Sequence, residues 1–134
     1  MKITYRIGCK YQLCDDYTHA LPPTFKYFKT FDSDFVYYNY PELIVKKGYA
    51  WDGASSIARD TKEIMPAALL HDALYLCMRL GMLPIEAKPL ADKELFKISR
   101  RDGMSRFRAS YTYLAVKLFG KKAILEKDKI TTAP

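Results

Sequence analysis

The residues of this chain best suited to chemistry lie in Leu69-Leu70-His71-Asp72-Ala73-Leu74-Tyr75, with Asp92 farther on and an Asp52-Gly53-Ala54-Ser55 turn upstream. The sequence has 2 histidines, so an imidazole set among carboxylates in the most apolar stretch points to proton transfer. On a helix Tyr75 falls one turn beyond His71 on the same face, while Asp72 is rotated by about 100° and meets a different neighbour. Two adjacent polar residues can thus serve two partners. The flanking Ala67, Ala68, Leu69, Leu70, Ala73, Leu74 and Leu76 make this helix apolar almost all round, which implies burial. A carboxylate in such surroundings requires a cation or several donors.

At this level two interpretations stay open. In the first, His71 and Asp72 bond to backbone or to Asp92 and fix the packing, Asp52 before a glycine is turn chemistry, and Asp92 is an early-helix acid favoured by the helix dipole. In the second, Asp72, Asp52 and turn carbonyls near Gly53 offer oxygen ligands to a hard cation such as calcium. A neutral His71 then takes a proton from water through one ring nitrogen, and its other nitrogen donates to Asp92, which sets the tautomer. The cation polarises a substrate carbonyl, an effect of roughly 3 kcal/mol or more.

The elements that must position these groups read as sheet, turn, then three helices, an α+β architecture. Ile3–Ile7, Phe25–Phe31, Phe35–Tyr38 and Leu43–Val45 are rich in aromatic and β-branched residues, with Pro22-Pro23, Asp32-Ser33-Asp34 and Asn39–Pro41 between them. That composition predicts a small antiparallel sheet over residues 1–50. Tyr17–Pro23 reads as a loop carrying an exposed His19. From 51 to 120 a turn leads into helical periodicity. Pro66 suits the first turn of a helix reaching about Leu80 with Gly81 closing it, and Pro89 opens a second through Asp92 towards Gly103. Ser105 can cap a third helix, in which Phe107, Tyr111, Leu114 and Leu118 form the stripe of a buried face before Gly120. The charged segment 121–134 is expected to fray. The whole reads as one domain, large enough to form a core without metal or disulfide.

Net charge is +7, from 22 Lys+Arg against 15 Asp+Glu. Such a surplus favours phosphate-bearing partners, nucleic acid or an anionic membrane surface, without choosing between them. No nucleic-acid-binding motif is recognisable. Cys9, Cys14 and Cys77 show no metal-ligand spacing and are expected reduced, a Cys9–Cys14 bridge being the alternative. Neither a signal-peptide core nor an apolar run of transmembrane length stands out, so a cytoplasmic product is expected. Phosphohydrolases built on an H-D pair gather further histidines around their metal, and only His19 is left to serve.

The motif H-D-A-L-Y at 71–75, the spaced Asp92 and the late segment Y-L-A-V-K-L-F-G at 113–120 resemble the prokaryotic phospholipase A2 fold, and the D-G-A-S turn is similar to that family's calcium loop. The similarity covers roughly Tyr49–Gly120. The chain also resembles uncharacterised small phage and prophage proteins carrying D-G-A-S, H-D-x-L-Y and A-D-x-x-F in this order. The resemblance implies a three-helix phospholipase A2-like unit with His71 as general base and Asp92 as its partner. Asp72 would be the main calcium ligand, Asp52 and Gly53 the loop ligands, and Tyr75 and Tyr113 outlying donors. It further implies a calcium-dependent lipid or ester hydrolase acting on host membrane, in the infected cell's cytoplasm or on the virion. Lys46, Lys47, Lys88, Arg100, Arg101, Arg106 and Arg108 would then face anionic headgroups. The alternative is a non-catalytic virion, tail or assembly protein that meets other phage virion proteins. Secreted phospholipases of this type brace the loop with disulfides, whereas here Ala54 and Ala68 stand about where cysteines would fall. The strand-like sequence before residue 49 is foreign to that family.

Overall fold

Alternating residues in the first half of the chain do form strands, in two antiparallel sheets. The computed structural model describes residues 5–8, 10–51 and 65–125. One sheet joins β1 (Tyr5–Gly8), β2 (Lys10–Leu13) and β7 (Ala50–Trp51) in the order β1-β2-β7. The other comprises β3 (Tyr17–Ala20), β4 (Phe31–Asp32), β5 (Val36–Asn39) and β6 (Glu42–Val45) in the order β3-β6-β5-β4. Register pairs Tyr17 and Val36 with Val45, and His19 and Tyr38 with Leu43. All six side chains are buried on the same face, as a period of two requires.

The antiparallel sheet expected over residues 1–50 is present as two small sheets, and two finer expectations for this half fail for local reasons. The expected strand Phe25–Phe31 is mostly turn, because Pro22-Pro23 start a 3₁₀ turn at Pro23–Phe25 in which the Phe25 amide donates to the Pro22 carbonyl at 3.0 Å. Phe25 becomes a fully buried plug whose carbonyl accepts the Tyr38 hydroxyl. Tyr17–Pro23 is not a loop, since Tyr17–Ala20 is strand β3 and His19 is buried in it. Cys14 and Cys77 are free thiols, and Cys9 lies outside the described residues.

The helices are α1 (Met65–Arg79), α2 (Lys88–Arg101) and α3 (Arg106–Leu125), with α2 packed against both others and α1 touching α3. Glycine closes the first two. Met82 N–H donates to Cys77 and Gly81 N–H to Met78, while Met104 donates to Ser99 and Gly103 to Arg100. Both are six-to-one, five-to-two terminations, and Gly81 (φ 80°) and Gly103 (φ 103°) supply the left-handed residue. Ser105 caps α3 as expected, its Oγ accepting the Arg108 amide at 3.2 Å.

The expected buried face of α3 is on the outside. Phe107 is 81% exposed, Tyr111 63%, Leu114 52% and Leu118 62%, whereas Ala109, Thr112, Val116, Gly120 and Ile124 face inward. Small residues let α3 come close to its neighbours, so the weaker apolar stripe won the interior. Gly120 does not end the helix either. It lies within α3, which continues to Leu125, so the expected fraying from 121 does not occur up to that point. One contiguous core joins sheet residues such as Val36, Leu43 and Trp51 to helix residues such as Leu69, Leu74, Leu95 and Val116. Among the described residues no helix is long and apolar enough to cross a membrane.

Candidate catalytic site

His71 and Tyr75 sit one turn apart on α1, and their rings pack at a centroid distance of 4.1 Å. Both reach Asp92 on α2. His71 Nε2 lies 2.8 Å from Asp92 Oδ1, and the Tyr75 hydroxyl donates to the same oxygen at 2.7 Å. The other oxygen accepts the Lys88 ammonium at 2.6 Å. Lys88 stands one turn before Asp92, and its remaining protons go to α3, to the Val116 carbonyl at 3.0 Å and the Lys117 carbonyl at 3.4 Å. Three helices thus meet through one lysine–carboxylate pair.

Asp92 is 1% exposed and His71 5% exposed. Burial alone would raise the Asp92 pKa, but donation from His71, Lys88 and Tyr75 outweighs it and holds the carboxyl below its ordinary value. Tyr75 is shifted the other way, since burial and its bond to Asp92 raise the phenol and keep it protonated. An ionised carboxylate only accepts, so the proton between His71 and Asp92 resides on Nε2. In the neutral imidazole Nδ1 then carries the lone pair, and no hydrogen bond from the described residues reaches it. Chemically, an imidazole so held can act as an oriented base.

Asp72 turns away from this network, as the helical rotation requires. It is half-buried, and one of its oxygens accepts the Tyr49 hydroxyl from the segment leading into β7. Burial, followed by the Asp72 charge and the bond to it, pushes the Tyr49 phenol well up. The structure therefore brings His71, Tyr75 and Asp92 together and gives Asp72 a separate partner. Tyr113 packs edge-to-face on Phe96 with ring centroids 6.0 Å apart, and no bond joins it to the network. Asp52 and Gly53 lie outside the described residues. Among the described residues no group of three His, Cys, Asp or Glu side chains is placed to hold a metal.

Sequence reasoning missed three participants. Lys88, read as a headgroup-facing cation, is buried in the site, and its i, i+4 spacing from Asp92 was the available signal. Lys46 and Arg101, read the same way, are paired with Asp32 and Asp102. The sequence predicts a helix end at Gly120, yet its missing side chain makes room for the ring of Tyr75. The third is a second histidine–acid pair. His19 Nε2 on β3 lies 2.9 Å from Glu94 Oε2 on α2, both buried, with Lys97 also on Glu94 at 3.2 Å. The alternation Tyr17, His19 was its only trace in the sequence. This pair fastens the sheet to the helix that carries Asp92.

Comparisons with protein-family models, with curated proteins and with solved structures find no match.

Proposed function

We propose that the chain is a phospholipase A2-like carboxylic ester hydrolase of phage origin that acts on lipid at an anionic membrane surface. One observation carries this reading. Asp92 holds the Nε2 side of His71 at 2.8 Å and so leaves Nδ1 as the basic atom. In the reaction, Nδ1 removes a proton from water as the oxygen attacks the ester carbonyl. The resulting imidazolium is stabilised by Asp92, and the proton passes to the departing alkoxide as the carbon–oxygen bond breaks. Lys88 and Tyr75 keep the Asp92 carboxylate fixed and ionised, which orients the imidazole without touching substrate.

Calcium fits the donor chemistry of Asp72, a half-buried carboxylate one residue from the base. Asp72, with Asp52 and Gly53, would hold the ion. When bound, it would polarise the ester carbonyl and balance the negative charge that develops there. The setting we infer is an infected cell's cytoplasm or the virion.

The test is release of fatty acid from phosphatidylglycerol by the purified chain with and without added calcium. His71→Gln, which keeps a polar side chain at that position, should lower the rate by about 10²-fold or more. Equal rates in parent and variant would overturn the reading. A second reading is favoured by the closure of the network, in which each Asp92 oxygen is bound and Lys88 is tied to α3. Such a cluster can serve a virion or assembly protein by fixing three helices. Well-folded parent protein that releases no fatty acid at saturating calcium would select it.

A further inference from the structure

The outer face of α3 is apolar and cationic at once. Phe107, Tyr111, Leu114, Leu118 and Leu125 recur at spacings of three, four and seven, so at about 100° per residue they form one stripe. All are more than half exposed. With a rise of roughly 1.5 Å per residue the stripe runs about 27 Å. Lys121 and Lys122 flank it, and Lys117 and Arg106 lie at its edges, all exposed. Among the described residues none of these four is in an ion pair, and α3 contains no Asp or Glu. An apolar stripe of this length on a monomeric surface marks a contact site.

Charge decides the occupant. A second copy laid along the stripe would bring the lysines of both helices to the same seam with no acid on α3 to answer them. A leaflet containing anionic phospholipid meets both features. Leucine and aromatic side chains enter the headgroup boundary while lysine and arginine reach the phosphates. We propose that the outer face of α3 docks the protein on a bilayer surface bearing anionic phospholipid. The inner face of the same helix supplies the Val116 and Lys117 carbonyls to Lys88, so docking uses no side chain of the His71–Asp92 network. This names the surface for the lipid partner proposed above. Adsorption is measured without turnover, so the two readings can fail separately.

The experiment is co-sedimentation of the full chain with vesicles of phosphatidylcholine alone, or of phosphatidylcholine with an equal part of phosphatidylglycerol, at low and high salt. Binding should be at least about tenfold tighter to the anionic vesicles and should weaken as salt rises. Leu114→Ser with Leu118→Ser should weaken it by about tenfold. Lys121→Gln with Lys122→Gln should weaken it by about tenfold or more, each lysine near such a surface being worth about fivefold. All four positions are exposed, and an unchanged urea midpoint confirms that each variant is folded. Three results would overturn the proposal: no binding to anionic vesicles, binding undiminished in both variants, or a concentration-dependent dimer that Leu114→Ser with Leu118→Ser dissolves. The last would assign the face to a second copy. Vesicle binding without fatty-acid release would uphold this surface and remove only the hydrolase.

Discussion

Gly120→Ala sets two physical effects against each other with opposite signs. In a helix interior alanine is favoured over glycine by about 1 kcal/mol, so α3 taken alone would be stabilised. The structure predicts the reverse. A Cβ at residue 120 would fall inside the Tyr75 hydroxyl and only 3.0 and 3.1 Å from its Cζ and Cε2. Overpacking of this kind costs about 1–3 kcal/mol. If the ring yields, its hydroxyl also leaves Asp92, and a hydrogen bond to a charged acceptor is worth about 1.5–3 kcal/mol. Less the propensity gain, the variant should be destabilised by about 1.5–5 kcal/mol. Urea unfolding followed by circular dichroism should show a midpoint lower by about 1 M or more with an unchanged slope. Tyr75→Phe removes the hydroxyl that meets the new methyl group, so the alanine penalty should shrink by about 1 kcal/mol in that background. A raised midpoint for Gly120→Ala, or a penalty identical with and without the Tyr75 hydroxyl, would show that α3 does not rest on this tyrosine.

Two further outcomes follow from the network. Lys88→Met should cost about 3–5 kcal/mol because it strips a buried carboxylate of its cation, and adding Asp92→Asn should restore part of the loss; a change under about 1 kcal/mol in denaturant unfolding would place Lys88 in solvent. The pH dependence has a definite sign. Asp92 and Glu94 have folded pKa values below their unfolded ones, so their contribution is fully present above the unfolded values near about 4 and is lost as pH falls through the folded values. The urea midpoint should therefore fall on the acid side, and less steeply for Asp92→Asn; parallel acid limbs for parent and variant would contradict the lowered Asp92 pKa.

The helix-borne part of the site was legible in the sequence because it is local. His71 and Tyr75 share a face by helical geometry alone, and the same geometry turns Asp72 to another neighbour. Asp92 could be nominated as the partner carboxylate through its spacing from His71 in the motifs that carry the family resemblance, which helix geometry alone would not have separated from Glu94 on the same helix. The burial of Lys88 is not legible in sequence because an i, i+4 pair looks alike on an exposed face and a buried one. The burial of His19 is not legible either, because a strand as short as Tyr17–Ala20 between acids and prolines carries almost no periodic signal.

Sequence by itself determined the two kinds of element, the glycine ends of α1 and α2, the serine cap of α3 and the pairing of His71 with Tyr75. Each depends on groups a few residues apart, whose relative positions are set by backbone geometry. Only the tertiary structure decided which face of α3 is inside. Its stronger apolar stripe could have filled a core, but Tyr75 needs a helix that presents no side chain at residue 120, and Lys88 needs carbonyls from that same face. Close approach and buried charge outweighed hydrophobic content, because steric overlap and an unpaired ammonium cost more than leaving leucine and phenylalanine in contact with water.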